Sequence, residues 1–193
     1  YTPGEPLVEP AAPTRTGYEF RYWSAEKNGA EFDFNTKLTP GESKTLYAVW
    51  KAVEASYTVI HWHENANDNG YSFYKAETLQ GNTGTQTKAE AMKENVEGKN
   101  LLGATVYDQV FTAKTFEQKT IAGDGSTIVN IYYARKQYTL HFKEREDSKK
   151  DLHTLTKKWG ENISKEEWPT NNGNSNWQIQ TGSYWTSSRY LAY

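Results

Sequence analysis

Aromatic and aliphatic positions alternate with polar ones in short runs along most of this chain, which is the period of strands that cover one face. Tyr18, Phe20 and Tyr22 line one side of a first run, and Leu46 to Trp50 form a second. A short apolar pair, Leu7-Val8, stands among prolines, while Asn28-Gly29 and Pro40-Gly41 are turn dipeptides. Tyr57 to His63 and Tyr71 to Thr78 predict two more strands around the polar loop Asn65 to Gly70, with a turn at Gly81 to Gly84. One stretch departs from period two. Thr87 precedes Glu90 by three positions, the capping-box spacing, and Ala89, Met92 and Val96 share a helical face before Gly98. A short helix is therefore predicted from Thr87. Val110 to Ile121 and Thr127 to Tyr133 predict a hairpin across Asp124-Gly125. Tyr138 to Phe142 and Leu152 to Thr156 predict strands on either side of the charged stretch Lys143 to Lys150, a short helix begins at Ser164, and aromatic pieces surround Trp177 and Trp185.

Internal repetition organises these elements. Ser56-Tyr57-Thr58-Val59-Ile60-His61-Trp62 is echoed by Gln137-Tyr138-Thr139-Leu140-His141-Phe142, each copy following an aromatic strand and a short basic segment. The parsing is three modules in series, 1–52, 53–136 and 137–193, joined without Gly/Ser-rich or Pro-rich linkers, so the joints limit relative motion. The middle module reads β-β-α-β-β, four strands around one short helix. The third reads as the start of a truncated, Trp-rich module. The fold class expected is β-rich α+β, built of tandem small β-grasp-like modules in series.

Pro13-Thr14-Arg15-Thr16-Gly17-Tyr18-Glu19-Phe20, continued to Trp23 and answered by Leu46-Tyr47-Ala48-Val49-Trp50, resembles the internalin-type B repeat (Listeria-Bacteroides repeat) of bacterial surface proteins. The resemblance covers nearly all of residues 1–52, with Phe32-Asp33-Phe34 as its central aromatic pair. Tyr22 stands where members usually have Gly, and the usual first strand is missing, which would leave an unpaired edge. The Tyr57-Thr58-Val59 opening, the Gly81 and Gly84 turn and the Tyr132-Tyr133 ending are distantly similar to mucin-binding-protein repeats, without their usual Gly-Tyr after the helix. These resemblances imply an extracellular, non-catalytic stalk or adhesion region, attached to the cell wall through a region outside this chain.

Composition narrows the classes further. Fourteen Tyr, seven Trp and seven Phe against one Met favour pleated, half-buried surfaces. A net charge of −2 without a concentrated basic run argues against a nucleic-acid footprint or an anionic-membrane patch. With no cysteine, disulfides, thiolate metal sites and cysteine nucleophiles are excluded. No apolar run approaches the roughly 20 residues of a membrane helix, so membrane insertion is not expected.

Four candidate chemistries remain. His61 and His63 project from one face of a strand and are suited to share a metal near Glu64, but no third ligand can be named, and paired packing residues are the plainer reading. Asn65, Asn67 and Asn69 before Gly70 imitate the first half of a calcium loop, yet Ala76 occupies the place of the bidentate carboxylate. With amides in place of carboxylates the loop has little charge, and a plain hairpin loop is the better reading of that pattern. Trp159, Trp168, Trp177 and Trp185, interleaved with Asn171, Asn172, Asn174 and Asn176, are the materials of a sugar-binding face or, alternatively, of a small core made from indoles. Of these, Trp159, Trp168, Trp177, Trp185, Asn174 and Asn176 are the candidate ligand-binding residues. For catalysis there is no Gly-x-Ser-x-Gly elbow, His-Glu-x-x-His helix or phosphate-binding loop. The expectation is a monomeric, non-enzymatic region without cofactor or metal, whose partner is a host or cell-surface glycan or protein. The alternatives are a carbohydrate-binding module and an accessory region of a large secreted glycosidase.

Overall fold

In the computed structural model, the structure describes residues 2, 4–93, 96–99, 105–143, 149–167, 178–181 and 184–187. Twelve strands and one 3-10 turn follow in order: β1 (Tyr18–Ser24), β2 (Tyr47–Ala52), β3 (Glu54–Glu64), β4 (Tyr71–Asn82), β5 (Val96–Lys99), β6 (Thr105–Asp108), β7 (Phe111–Ala113), β8 (Ile128–Arg135), β9 (Gln137–Phe142), β10 (His153–Lys158), the turn Lys165–Glu167, β11 (Gln178–Thr181) and β12 (Tyr184–Ser187). The protein is β-rich, as the alternating pattern predicts. One sheet has four strands in the order β4-β3-β8-β7; β1-β2, β5-β6, β9-β10 and β11-β12 are two-stranded. The chain divides into two compact units, one of Tyr1–Val59, Ala76–Ala89 and Glu117–Val129, the other of Ile60–Lys75, Glu90–Phe116 and Asn130–Tyr193.

In the first unit, β1 and β2 pair antiparallel, Phe20 facing Trp50 and Trp23 facing Ala48. The register slips between Phe20 and Tyr22, so Arg21 forms a bulge immediately before the residue that replaces the usual glycine. The Phe20 ring meets the edges of Trp23 at 5.5 Å and Trp50 at 5.8 Å, and the Arg15 guanidinium lies 3.8 Å from the centre of the Tyr18 ring. The amide of Leu7 donates to Phe34 O at 2.9 Å and Pro6 bridges to Lys37, so the Leu7-Val8 segment lies along the 34–38 stretch. Leu38 and Ser24 are buried here, while Phe20, Trp23 and Trp50 are half-buried and Tyr47 is exposed.

Gly17 of the repeat motif sits against backbone from the middle of the chain. A Cβ on Gly17 would lie 2.4 Å from Gly123 Cα, and one on Gly123 would lie 2.3 Å from Gly17 Cα. Only two glycines permit this approach. Val53 N donates to Gly17 O at 3.0 Å, Thr83 N and Oγ1 both donate to Val53 O, and the Tyr18 hydroxyl covers Gly84. Around this junction Ala55, Tyr57, Val59, Ile121 and Val129 form the apolar core.

The helix expected from Thr87 is absent among described residues 87–93, and Val96–Lys99 is instead the strand β5, paired with β6. Its capping donors are taken by distant partners. Thr87 N donates to Lys119 O, Thr87 Oγ1 donates to Gln118 Oε1 and accepts from Lys119 N, and the Gln118 amide bonds both N and O of Ala89. Lys88 N donates to the Tyr57 hydroxyl. A side-chain amide thus stands in for a neighbouring strand, and the local i to i−4 bonds lose to it. The hairpin expected over residues 110–133 is likewise shorter than its pattern suggests. Only Phe111–Ala113 pair with Tyr133–Arg135, because Thr120 and Ile121 are drawn to residues 85 and 86 by a bridge and a 2.8 Å bond. The short turn after Ser164 forms as predicted, with Glu167 Oε2 accepting from Ser164 N at 2.8 Å.

Candidate functional site

In the second unit, strand alternation separates two sets of side chains. His61, Ile131 and Tyr133 are buried on one face, with Met92 N and His61 Nδ1 both 2.8 Å from the Tyr133 hydroxyl. The other face carries Trp62 from β3, Tyr71 and Phe73 from β4, and Asn130 and Tyr132 from β8. Phe73 meets Trp62 edge-on at 6.0 Å, the Tyr132 ring runs nearly parallel to Trp62 at 6.2 Å, and Tyr71 meets Tyr132 at 4.9 Å. Trp62 Nε1 donates to Asn130 Oδ1 at 2.9 Å, leaving the Asn130 NH2 as a donor beside the rings. The Lys114 ammonium bonds the Tyr71 hydroxyl, which is the main reason its pKa is raised. Phe73 is 60% exposed and Tyr132 39%, so this is an open aromatic face with polar groups set into it.

The end of the same unit is locked. His63 is held between the rings of Tyr74 at 3.9 Å and Phe111 at 3.8 Å. Arg135 lies over Phe111 and Trp159, 4.9 and 5.4 Å from their centres, and its side chain donates to the carbonyls of Glu64 and Trp159. Glu64 accepts from Arg135 N at 2.8 Å and pairs with the Lys158 ammonium at 2.9 Å. Partial burial works against its charge, but the Arg135 amide and Lys158 outweigh it, so its carboxyl titrates below the ordinary range. Desolvation lowers the Arg135 pKa. Nearby, Lys157 is raised by Glu167 and Glu161, each of which is lowered in turn.

The candidates read from the sequence are placed as follows. Trp159 is half-buried, with Arg135 and Phe111 on its ring. Trp168, Trp177, Asn174 and Asn176 lie outside the described residues, as do Asn171 and Asn172. Trp185 lies on β12 in register with Gln180. In the calcium-like loop, Asp68 Oδ1 accepts from Asn65 Nδ2 and Gly70 N, Asn67 Oδ1 accepts from Asn162 N, and Lys158 Nζ donates to Asp68 O. An ammonium on the loop carbonyl opposes a bound cation, so the loop is a hairpin connection. Among the described residues no group of three or more His, Asp or Glu is placed to hold a metal. The aromatic face of Trp62, Phe73 and Tyr132 is not among the candidates read from the sequence, where the densest tryptophans lie in the C-terminal third. Its signal was the alternation itself, which gives each strand a second, unburied row.

In the first unit a groove of about 320 Å³ runs along Leu7, Val8, Phe34, Leu38 and Leu46, with Glu42 and Lys44 at its rim. The described residues build a strand-rich protein with almost no helix. Residues 1–49 match the family model of the Listeria-Bacteroides repeat domain, a bacterial surface repeat. No solved structure matches the chain. No helix among the described residues is long and apolar enough to cross a membrane.

Proposed function

We propose that this chain is a non-catalytic, extracellular repeat region of a bacterial surface protein, serving as a stalk or adhesion segment that supports a binding function. The observation that carries this reading is the match of residues 1–49 to a bacterial surface repeat. The finer architecture is tandem modules of β-grasp type. It is supported by the sheet order β4-β3-β8-β7, in which the first and last strands of the 53–136 segment are central neighbours. The missing helix at 87–93 weighs against a full β-grasp. Protease shaving of intact producing cells tests the reading: peptides of this chain should be released without lysis, and their recovery from broken cells alone would refute it.

A glycan-binding role is favoured by one observation, the exposed Phe73 and Tyr132 beside Trp62 and the Asn130 amide. Aromatic faces take the apolar sides of pyranoses while amides bond the hydroxyls. Titration of the protein against host-type glycans, with Trp62→Ala as the comparison, tests it; an unchanged affinity in that variant would remove this face from the role.

A further inference from the structure

The open aromatic face of the second unit has a cation at its margin. Lys114 follows β7, and its amide donates to Tyr132 O at 2.8 Å, continuing the β7-β8 ladder by one more bond. Its ammonium bonds the Tyr71 hydroxyl and stands 5.1 Å from the centre of that ring, which is itself 4.9 Å from the Tyr132 ring. Lys114 is therefore tied to the face by backbone and side chain, one aromatic residue away from Tyr132. It is exposed and, among the described residues, pairs with no carboxylate. The carboxylate whose field reaches it, Glu64, is held by the Lys158 ammonium and the Arg135 amide. An ammonium carries three donors, so protons remain beyond the one given to Tyr71. Trp62, Tyr71, Phe73, Lys114, Asn130 and Tyr132 all belong to the second unit.

We propose that this face binds a glycan through a hexuronate unit, whose sugar ring lies on the aromatic side chains while its carboxylate is taken by Lys114. The inference rests on the glycan-binding reading above and adds the charge of the sugar. Charge complementarity selects the occupant: a neutral sugar leaves the ammonium to solvent, whereas a carboxylate forms a charge-assisted bond with it. In a glucuronate chair the carboxylate is equatorial, near the plane of the ring. The C–H face can then lie flat on an aromatic ring while the carboxylate reaches sideways to a cation at the margin. In an α-sialoside the carboxylate is axial and stands off that face, so stacking and the ion pair compete. The Asn130 NH2, whose oxygen is occupied by Trp62 Nε1, supplies a donor for a ring hydroxyl.

The test titrates the 193-residue protein calorimetrically with an oligosaccharide of alternating glucuronate and N-acetylglucosamine, and with its carboxyl-reduced form, in which each glucuronate has become glucose. The acidic form should bind about tenfold more tightly, and the difference should shrink as salt rises from about 0.01 to 0.15 M. This comparison needs no variant. Lys114→Gln should abolish the preference by weakening the acidic form alone, Lys114→Arg should keep it, and Tyr132→Ala should weaken both forms. Equal affinity for the two forms, or a preference that survives Lys114→Gln, overturns the uronate assignment and leaves the glycan reading standing. Absence of binding by either form overturns both, and a Tyr132→Ala variant that spares both forms removes the face as the site. Tighter binding of α2,3-sialyllactose, or of a hexaglutamate peptide, than of the uronate oligosaccharide overturns the assignment in favour of that other acid.

Discussion

Replacing Gly123 by Ala would test the junction between the N-terminal repeat and the segments that complete its unit. The new Cβ would lie 2.3 Å from Gly17 Cα, 2.7 Å from Gly17 N and 2.8 Å from Thr16 O, all backbone atoms that cannot rotate aside. Ordinary carbon contact begins near 3.5 Å, so the two segments must part by about 1.2 Å. That displacement strains the 3.0 Å bond from Val53 N to Gly17 O. Overpacking costs about 1–3 kcal/mol and a lost hydrogen bond about 1 kcal/mol, so the variant should lose about 2–4 kcal/mol. Urea unfolding followed by tryptophan fluorescence measures it, since Trp23 and Trp50 report on this unit. Gly41→Ala is the internal control: its φ is +86° and nothing lies within 4 Å, so it should cost only the left-handed strain of about 1–2 kcal/mol. Gly17→Ala carries both penalties and should be the worst of the three. If Gly123→Ala unfolds within about 0.5 kcal/mol of the parent, or no worse than Gly41→Ala, the close approach is not a feature of the folded protein.

Thr87→Val should cost about 1 kcal/mol by removing the buried hydroxyl that donates to Gln118 Oε1 and accepts from the Lys119 amide, whereas Thr87→Ser should be near neutral; equal behaviour in chemical denaturation would contradict these bonds. Trp50→Ala should cost about 2 kcal/mol, less than a fully buried tryptophan, because its ring is half-buried against Phe20; loss of 5 kcal/mol would place it in a true core. Glu64 titrates below its ordinary value of 4.5 when folded, so the unfolded chain binds its proton first and stability rises with pH through that window. The contribution is present above 4.5 and lost as pH falls through the lowered value; Glu64→Gln should flatten this acid limb in melts across pH 2–6, and an unchanged limb would refute it.

How far the fold could be read from sequence depended on how local its causes are. Tyr18, Phe20 and Tyr22 announced β1, and Tyr57 to His63 announced β3, because alternation is written into consecutive residues. Both β3 and β4 run past their apolar patterns, through Glu54 at one end and Asn82 at the other, since ladder bonds continue where side chains no longer signal them. The helix failed for the opposite reason. A three-residue apolar face at Ala89, Met92 and Val96 is weak, and the competitors for its amides, Gln118 and the Tyr57 hydroxyl, are distant in sequence. The Gly17 and Gly123 contact was illegible in principle, since a glycine announces freedom and not its neighbour. For the site, His61 and His63 were rightly placed on one face, but only the structure shows a tyrosine hydroxyl on one and two rings around the other. The aromatic face on β3, β4 and β8 was legible in kind and overlooked in place.

The repeat motif is made well before the segment that completes its unit. Its unit closes only when Glu117–Val129 is available to bring Gly123 against Gly17. At ribosomal speeds of about 5–20 residues per second, the stretch from Ile60 to Val129 takes about 4–14 s to emerge. Throughout that interval the β1-β2 hairpin exists without its seat, and its half-buried aromatics face whatever the nascent chain or its escorts present. Tyr18 waits in the same way for Gly84. A unit assembled from stretches this far apart in sequence cannot close until the intervening residues have been made.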